Sequence, residues 1–147
     1  MKKFSFALDS LRRYRNTLFE QEQARLHALI FEFNKLEDRR VKLLAEVSQC
    51  RTRVQAMTIV PVDELTALQA FRRYGDEEAK RIAHSKLALS GRIDQQKLAV
   101  KLARRNVEAL EKLKERRFQT WRLDVDREME ATVAELVIAR FKPLAET

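Results

Sequence analysis

The chain has 147 residues, of which 35% are charged, a formal net charge of +8, and only two glycines and two prolines. A compact domain of this length needs roughly ten connections between elements of average size, most of them built on Gly, Pro, Asn or Asp, so this composition excludes a many-turned globular fold. Cys50 is the only cysteine, which excludes an internal disulfide and suits a reducing compartment.

The first predicted element is a helix from about Phe4 to Met57. Between Leu26 and Met57 it carries a heptad seam of Leu26, Leu29, Phe33, Leu36, Arg40, Leu43, Val47, Cys50, Val54 and Met57. A stripe that narrow, about two positions in seven, has the width of a coiled-coil contact and not of a helix lying on a globular core. Cys50 lies in this seam and reads as a small packed apolar residue. Nearer the start the seam is Phe4, Leu8, Leu11, Arg15 and Leu18. Leu18 is eleven residues from Leu29, a stutter that locally relaxes a left-handed supercoil. The run Phe4 to Leu8 is too short for a signal sequence and is followed by Asp9.

Thr58, Ile59, Val60, Pro61 and Val62 form a β-branched break. Proline disfavours helix at the residue before it but is tolerated in the first turn of a new helix. The chain is expected to turn over about 58–62 and to begin a second helix at Asp63, where Asp63 and Glu64 complement the positive end of the helix dipole. This helix is expected to run to about Phe141, with Pro143 as its stop. Its seam is Ala79, Ile82, Lys86, Leu89, Ile93, Gln96, Val100, Ala103, Val107 and Leu110, and polar Lys86 and Gln96 fix register at some cost in stability. The expected fold is therefore all-α, one long antiparallel two-helix coiled-coil hairpin over residues 1–147 that pairs residues whose numbers add to roughly 120. At a rise of ~1.5 Å per residue the first helix would span about 80 Å. The second overshoots it, leaving Phe118, Trp121, Val125, Met129, Val133 and Leu136 to be covered by a partner, another copy of the chain or a fold-back. Gly75 and Gly91 each weaken a helix by up to ~1 kcal/mol relative to alanine; they read as tolerated weak points or as places of close approach, the former being favoured.

Charge is uneven along the chain. Lys2, Lys3, Arg12, Arg13 and Arg15 face only Asp9 within residues 1–15, and residues 97–117 are again strongly basic. Antiparallel pairing would bring these two runs side by side. Such an end could attract phosphate by counterion release, but zinc-ligand spacing, an aromatic ladder and a glycine-rich clamp are all missing, so no nucleic-acid partner is expected. A generic scaffolding or nucleic-acid-associated basic coiled coil remains the alternative, and the central stalk of an ion-pumping ATPase shares the shape. No stretch approaches the ~20 apolar residues of a membrane span, so no direct membrane insertion is expected. His27 and His84 stand alone on their helices, Ser85 points away from His84, and neither glycine belongs to a phosphate-binding loop. No enzymatic activity, metal or cofactor is expected. Phe31, Phe71 and Tyr74 fall near or outside the ideal seam and read as partner anchors, with seam packing equally open for Phe71.

The opening Phe4-Ser5-Phe6-Ala7-Leu8 with Leu11 and Arg15, and the later run Val107 to Arg117 followed by Trp121, resemble the flagellar FliJ family. With the central break, the resemblance covers nearly the whole chain. It implies a non-enzymatic component of bacterial flagellar type III protein export, cytoplasmic and peripherally associated with the inner face of the membrane at the flagellar base. The implied partners are the flagellar export ATPase hexamer, the cytoplasmic domain of the large export-gate subunit, and export chaperones. Carried onto this chain, the ATPase-ring contact comprises Arg12, Arg13, Arg15, Lys112, Arg116, Arg117 and Trp121, and the gate contact comprises Phe71 and Tyr74. Next to that pair, Gly75, Asp76, Glu77 and Glu78 depart from the apolar character the family tends to place there.

Overall fold

The computed structural model describes residues 2–141; the helix stop expected at Pro143 lies outside the described residues. Among the described residues there are two helices, α1 over Asp9–Gln55 and α2 over Val62–Phe141. The expected all-α antiparallel hairpin is what the chain forms. It divides into two compact units, one of Glu20–Lys101 and one of Met1–Phe19 with Leu102–Thr147.

In the unit Glu20–Lys101, the turn is built as the sequence implies. The last turn of α1 tightens, with Ala56 donating to Thr52 and Met57 to Val54, and the carbonyl of Pro61 then accepts from Glu64 and Leu65 at 3.1 and 3.3 Å. Pro61 thereby caps the start of α2, where its missing N–H costs nothing, and helix begins at Val62, one residue earlier than expected. Every seam position of α1 from Leu26 to Met57, and every one of α2 from Ala79 to Val100, is buried or half-buried. Leu43, Val54, Ile82, Leu89 and Val100 form the driest part. Of the polar seam positions, Lys86 and Gln96 find partners across the pair and Arg40 finds one within α1. Gln96 donates to the backbone carbonyl of Glu22 at 2.9 Å and also to its carboxylate. Glu37 accepts from Arg40 Nη2 at 2.6 Å and from Lys86 Nζ, while the Lys86 ammonium lies 5.0 Å from the centre of the Phe33 ring. Arg39 reaches Glu78 at 3.2 Å. These pairs, numbered to add to about 120, carry the expected register.

Gly75 corrects the favoured reading of it as a tolerated weak point. It is buried, and a Cβ placed there would lie 2.8 Å from Val47 Cγ2, inside van der Waals contact with a stiff β-branched side chain. Gly91 has nothing within 4 Å and keeps that reading. Gly91→Ala should therefore stabilise the hairpin by up to about 1 kcal/mol. Gly75→Ala should destabilise it, because overpacking costs about 1–3 kcal/mol against the same helix gain. Urea midpoints would show both signs, and Val47→Ala should cost less in the Gly75→Ala background than in the wild type.

In the other unit, the first residues are not helical. α1 begins at Asp9, not near Phe4, with Asp9 N–H donating to the Phe6 carbonyl at 3.1 Å. Continuing the helix backward would turn Phe4 and Phe6 to different sides. Both aromatic rings reach α2 here. The anticipated stutter is not the packing observed: Leu11 is 41% exposed, while Arg12, Arg15 and Phe19, in heptad step with Leu26, are half-buried along with Leu8 and Leu18.

Candidate functional site

The basic and aromatic cluster of the unit Met1–Phe19 with Leu102–Thr147 is assembled around Asp9. Its carboxylate accepts from Arg12 Nε at 3.0 Å and from Lys114 Nζ at 3.4 Å, and pairs as an ion with Arg13 Nε at 3.0 Å. The hydrogen bond from Arg12 above all, with the positive charges of Arg12 and Arg13 and the hydrogen bond from Lys114, holds this carboxyl below the usual aspartate range against the opposing effect of partial desolvation. A single acidic residue thus clamps cations from both helices, which offsets the repulsion expected where two basic runs meet.

Aromatic rings do the rest of the packing. Phe6 is buried at 7% exposure, and the Arg117 guanidinium lies 5.7 Å from the centre of its ring. Arg104 stands over Phe19 in the same way at 5.6 Å. Phe4 meets Phe118 edge-on at 5.2 Å and Trp121 at 5.7 Å, and the Trp121 indole donates to the Lys2 carbonyl at 3.1 Å. These contacts use the negative faces of the rings to hold guanidinium groups and the indole N–H to hold the backbone of the first residues. Together with Arg117, Thr120, Trp121 and Asp124, this segment lines a shallow cleft of about 440 Å³.

Of the seven residues assigned to a ring contact, all lie in this unit. Arg12 and Arg15 are half-buried, Arg13, Lys112, Arg116 and Arg117 are exposed, and Trp121 is half-buried. Sequence reading missed Phe6 and Lys114 as parts of the cluster. The alternation Phe4-Ser5-Phe6 is the signal for the first, since two aromatics two residues apart suit an extended strand and not a helix; Lys114 gives no sign of its cross-helix partner.

Phe71 and Tyr74 lie in the unit Glu20–Lys101, their ring centres 6.2 Å apart. Phe71 is half-buried and lines a cleft of about 250 Å³ with Cys50, Val54, Ala67 and Leu68. Seam packing is therefore part of its role, whereas Tyr74 remains 49% exposed and Phe31 71% exposed. Both histidines are exposed. Among the described residues there is no group of three or more His, Cys, Asp or Glu side chains able to hold a metal ion, and no helix long and apolar enough to cross a membrane.

Comparison with curated proteins and with solved structures returned no match. The family model for the flagellar FliJ protein matches residues 4–141. That span contains the non-helical aromatic segment, the turn at Pro61, both helices and the basic cluster, and the chain belongs to the flagellar FliJ family.

Proposed function

We propose that this chain serves flagellar protein export as a stalk: the unit containing Asp9 and Trp121 enters the ring of the export ATPase hexamer, and the region of Phe71 and Tyr74 meets the cytoplasmic domain of the large export-gate subunit. Membership of the family supports the coarser role in flagellar export. The finer reading is carried by one observation, the gathering of Arg12, Arg13 and Arg15 with Lys112, Arg116, Arg117 and Trp121 in one compact unit. The chain works at the cytoplasmic face of the membrane at the flagellar base, where it also assists the handling of chaperones and their cargo.

A ring of like subunits with an asymmetric charged helix pair at its centre cannot keep all its subunits equivalent. Those that contact the guanidinium groups gain free energy in one conformation and not in another, so their population shifts by the difference in contact energy. Turnover rises although the stalk touches no nucleotide. Arg13, Lys112 and Arg116 are exposed and available for such contacts, while Asp9 limits their mutual repulsion.

Charge reversal tests this reading. The Arg116→Glu/Arg117→Glu variant is expected to lose stimulation of the export ATPase and to keep its helix content, since both side chains are exposed. Stimulation equal to that of the wild type would overturn the assignment of these residues.

A further inference from the structure

The apolar stripe of α2 does not end at Trp121. Beyond it, Met129 is 49% exposed, Val133 59%, Val137 49% and Phe141 71%, with half-buried Val125 leading into them. These residues are spaced by four, so they form one slanted row on the helix surface. Exposed apolar rows of this length mark surfaces that are covered in use. The surrounding charges restrict what can cover this one. Asp124, Asp126, Glu128, Glu130 and Glu135 outnumber Arg122, Arg127 and Arg140, a balance that repels nucleic acid and anionic lipid.

We infer that this face pairs with the same face of a second copy of the chain, antiparallel, about a two-fold axis at Val133. In that register Val133 meets its own counterpart. Four residues to either side, Met129 of one copy faces Val137 of the other, and seven residues to either side Asp126 faces Arg140, each contact occurring twice by symmetry. Seven residues is close to two helical turns, so Asp126 and Arg140 lie nearly in line with Val133 along the helix axis, flanking the apolar layers with opposite charge. A parallel pairing would instead set Asp126 against Asp126 and Arg140 against Arg140. The row is complementary to itself in one direction only. Two or three apolar layers make a small interface, so association is weak and reversible, and it stands independently of the stalk reading.

The test is sedimentation velocity on the full chain over a wide concentration range. A concentration-dependent shift from monomer to dimer is expected. Asp126→Arg and Arg140→Asp should each weaken it by about tenfold or more, because each places like charges opposite one another twice; the two together should restore it. In a Cys50→Ser background, Val133→Cys should form a disulfide between copies under mild oxidation. Asp126, Val133 and Arg140 are exposed and Cys50 is half-buried, and circular dichroism checks that both helices persist. A chain that stays monomeric at every concentration overturns the inference, as it would if the row served another protein or the chain's own residues. So does a dimer that either charge reversal leaves unchanged, or that the double reversal does not restore.

Discussion

Ile82→Ala is expected to destabilise the hairpin by about 2–3 kcal/mol, the lower part of the range for truncating a buried isoleucine, and to lower its melting temperature by roughly 5–10 °C. Ile82 is the most buried of the apolar side chains that form the core among the described residues, at 3% exposure. No described side chain is less than 2% exposed, because two helices enclose a core only one seam thick. Such a core has few layers over which to spread a loss. It also sits near solvent and can partly collapse into the space left by the removed atoms, which keeps the cost below the largest values known for globular interiors. Leu87→Ala is the control, since that side chain is 74% exposed and should change stability by no more than about 0.5 kcal/mol. Thermal unfolding followed by circular dichroism separates the two; equal midpoints for both variants would place the packing elsewhere.

Acid should weaken the hairpin through Glu37. Its carboxyl is pulled down to about 2, first by the hydrogen bond from Arg40 and then by that from Lys86, against a partial desolvation that acts the other way. In the unfolded chain the same group titrates near its ordinary value of 4.5. Between these two values the unfolded state binds the proton and the folded state does not. The contribution of Glu37 is therefore fully present above about 4.5 and is lost as pH falls toward about 2. The urea midpoint at pH 3 should lie below that at pH 7. Glu37→Gln should be weaker than wild type at pH 7, where Arg40 and Lys86 lose their carboxylate, and should show a smaller fall on acidification. A fall as large in Glu37→Gln as in wild type would assign the acid sensitivity to other carboxylates. The carboxyl is one-third exposed and Lys86 about one-quarter, so salt should blunt the effect without removing it.

The two polar layers show why a seam interrupted by charge still holds. Arg40 and Lys86 interrupt their apolar rows, and each is individually a cost. Both converge on one carboxylate, with Phe33 supplying a ring face to the ammonium. A slip by one heptad would separate Lys86 from Glu37 and Gln96 from Glu22 together, so these layers penalise alternative registers more than they add stability. Gly75 against Val47 acts by a different means, admitting close approach at one height only.

Most of the helical framework was legible in the residues alone. Period and break are local properties of a sequence: heptad spacing from Leu26 to Met57 and from Ala79 to Leu110 falls on buried or half-buried positions throughout, and a proline with β-branched neighbours leaves little choice about where the chain turns. The gathering of the basic residues also followed, since one bend and one register decide which heights meet. Near Leu11 the same reasoning failed, because a short apolar residue next to several arginines offers two competing stripes and pattern alone does not rank them.

What lay beyond the linear chain was which individual side chains meet across the two helices. The partners that Phe4 and Phe6 meet outside the helix, Phe118, Trp121 and Arg117, are all more than a hundred residues away. Asp9 becomes a clamp only when Lys114 arrives beside it, and Glu37 only when Lys86 does. Hydrophobic period is written into neighbouring residues and sets the two helices and their bend. Charge pairing and ring contact act over a few ångströms between residues distant in sequence, so they take effect only once the helices lie against each other.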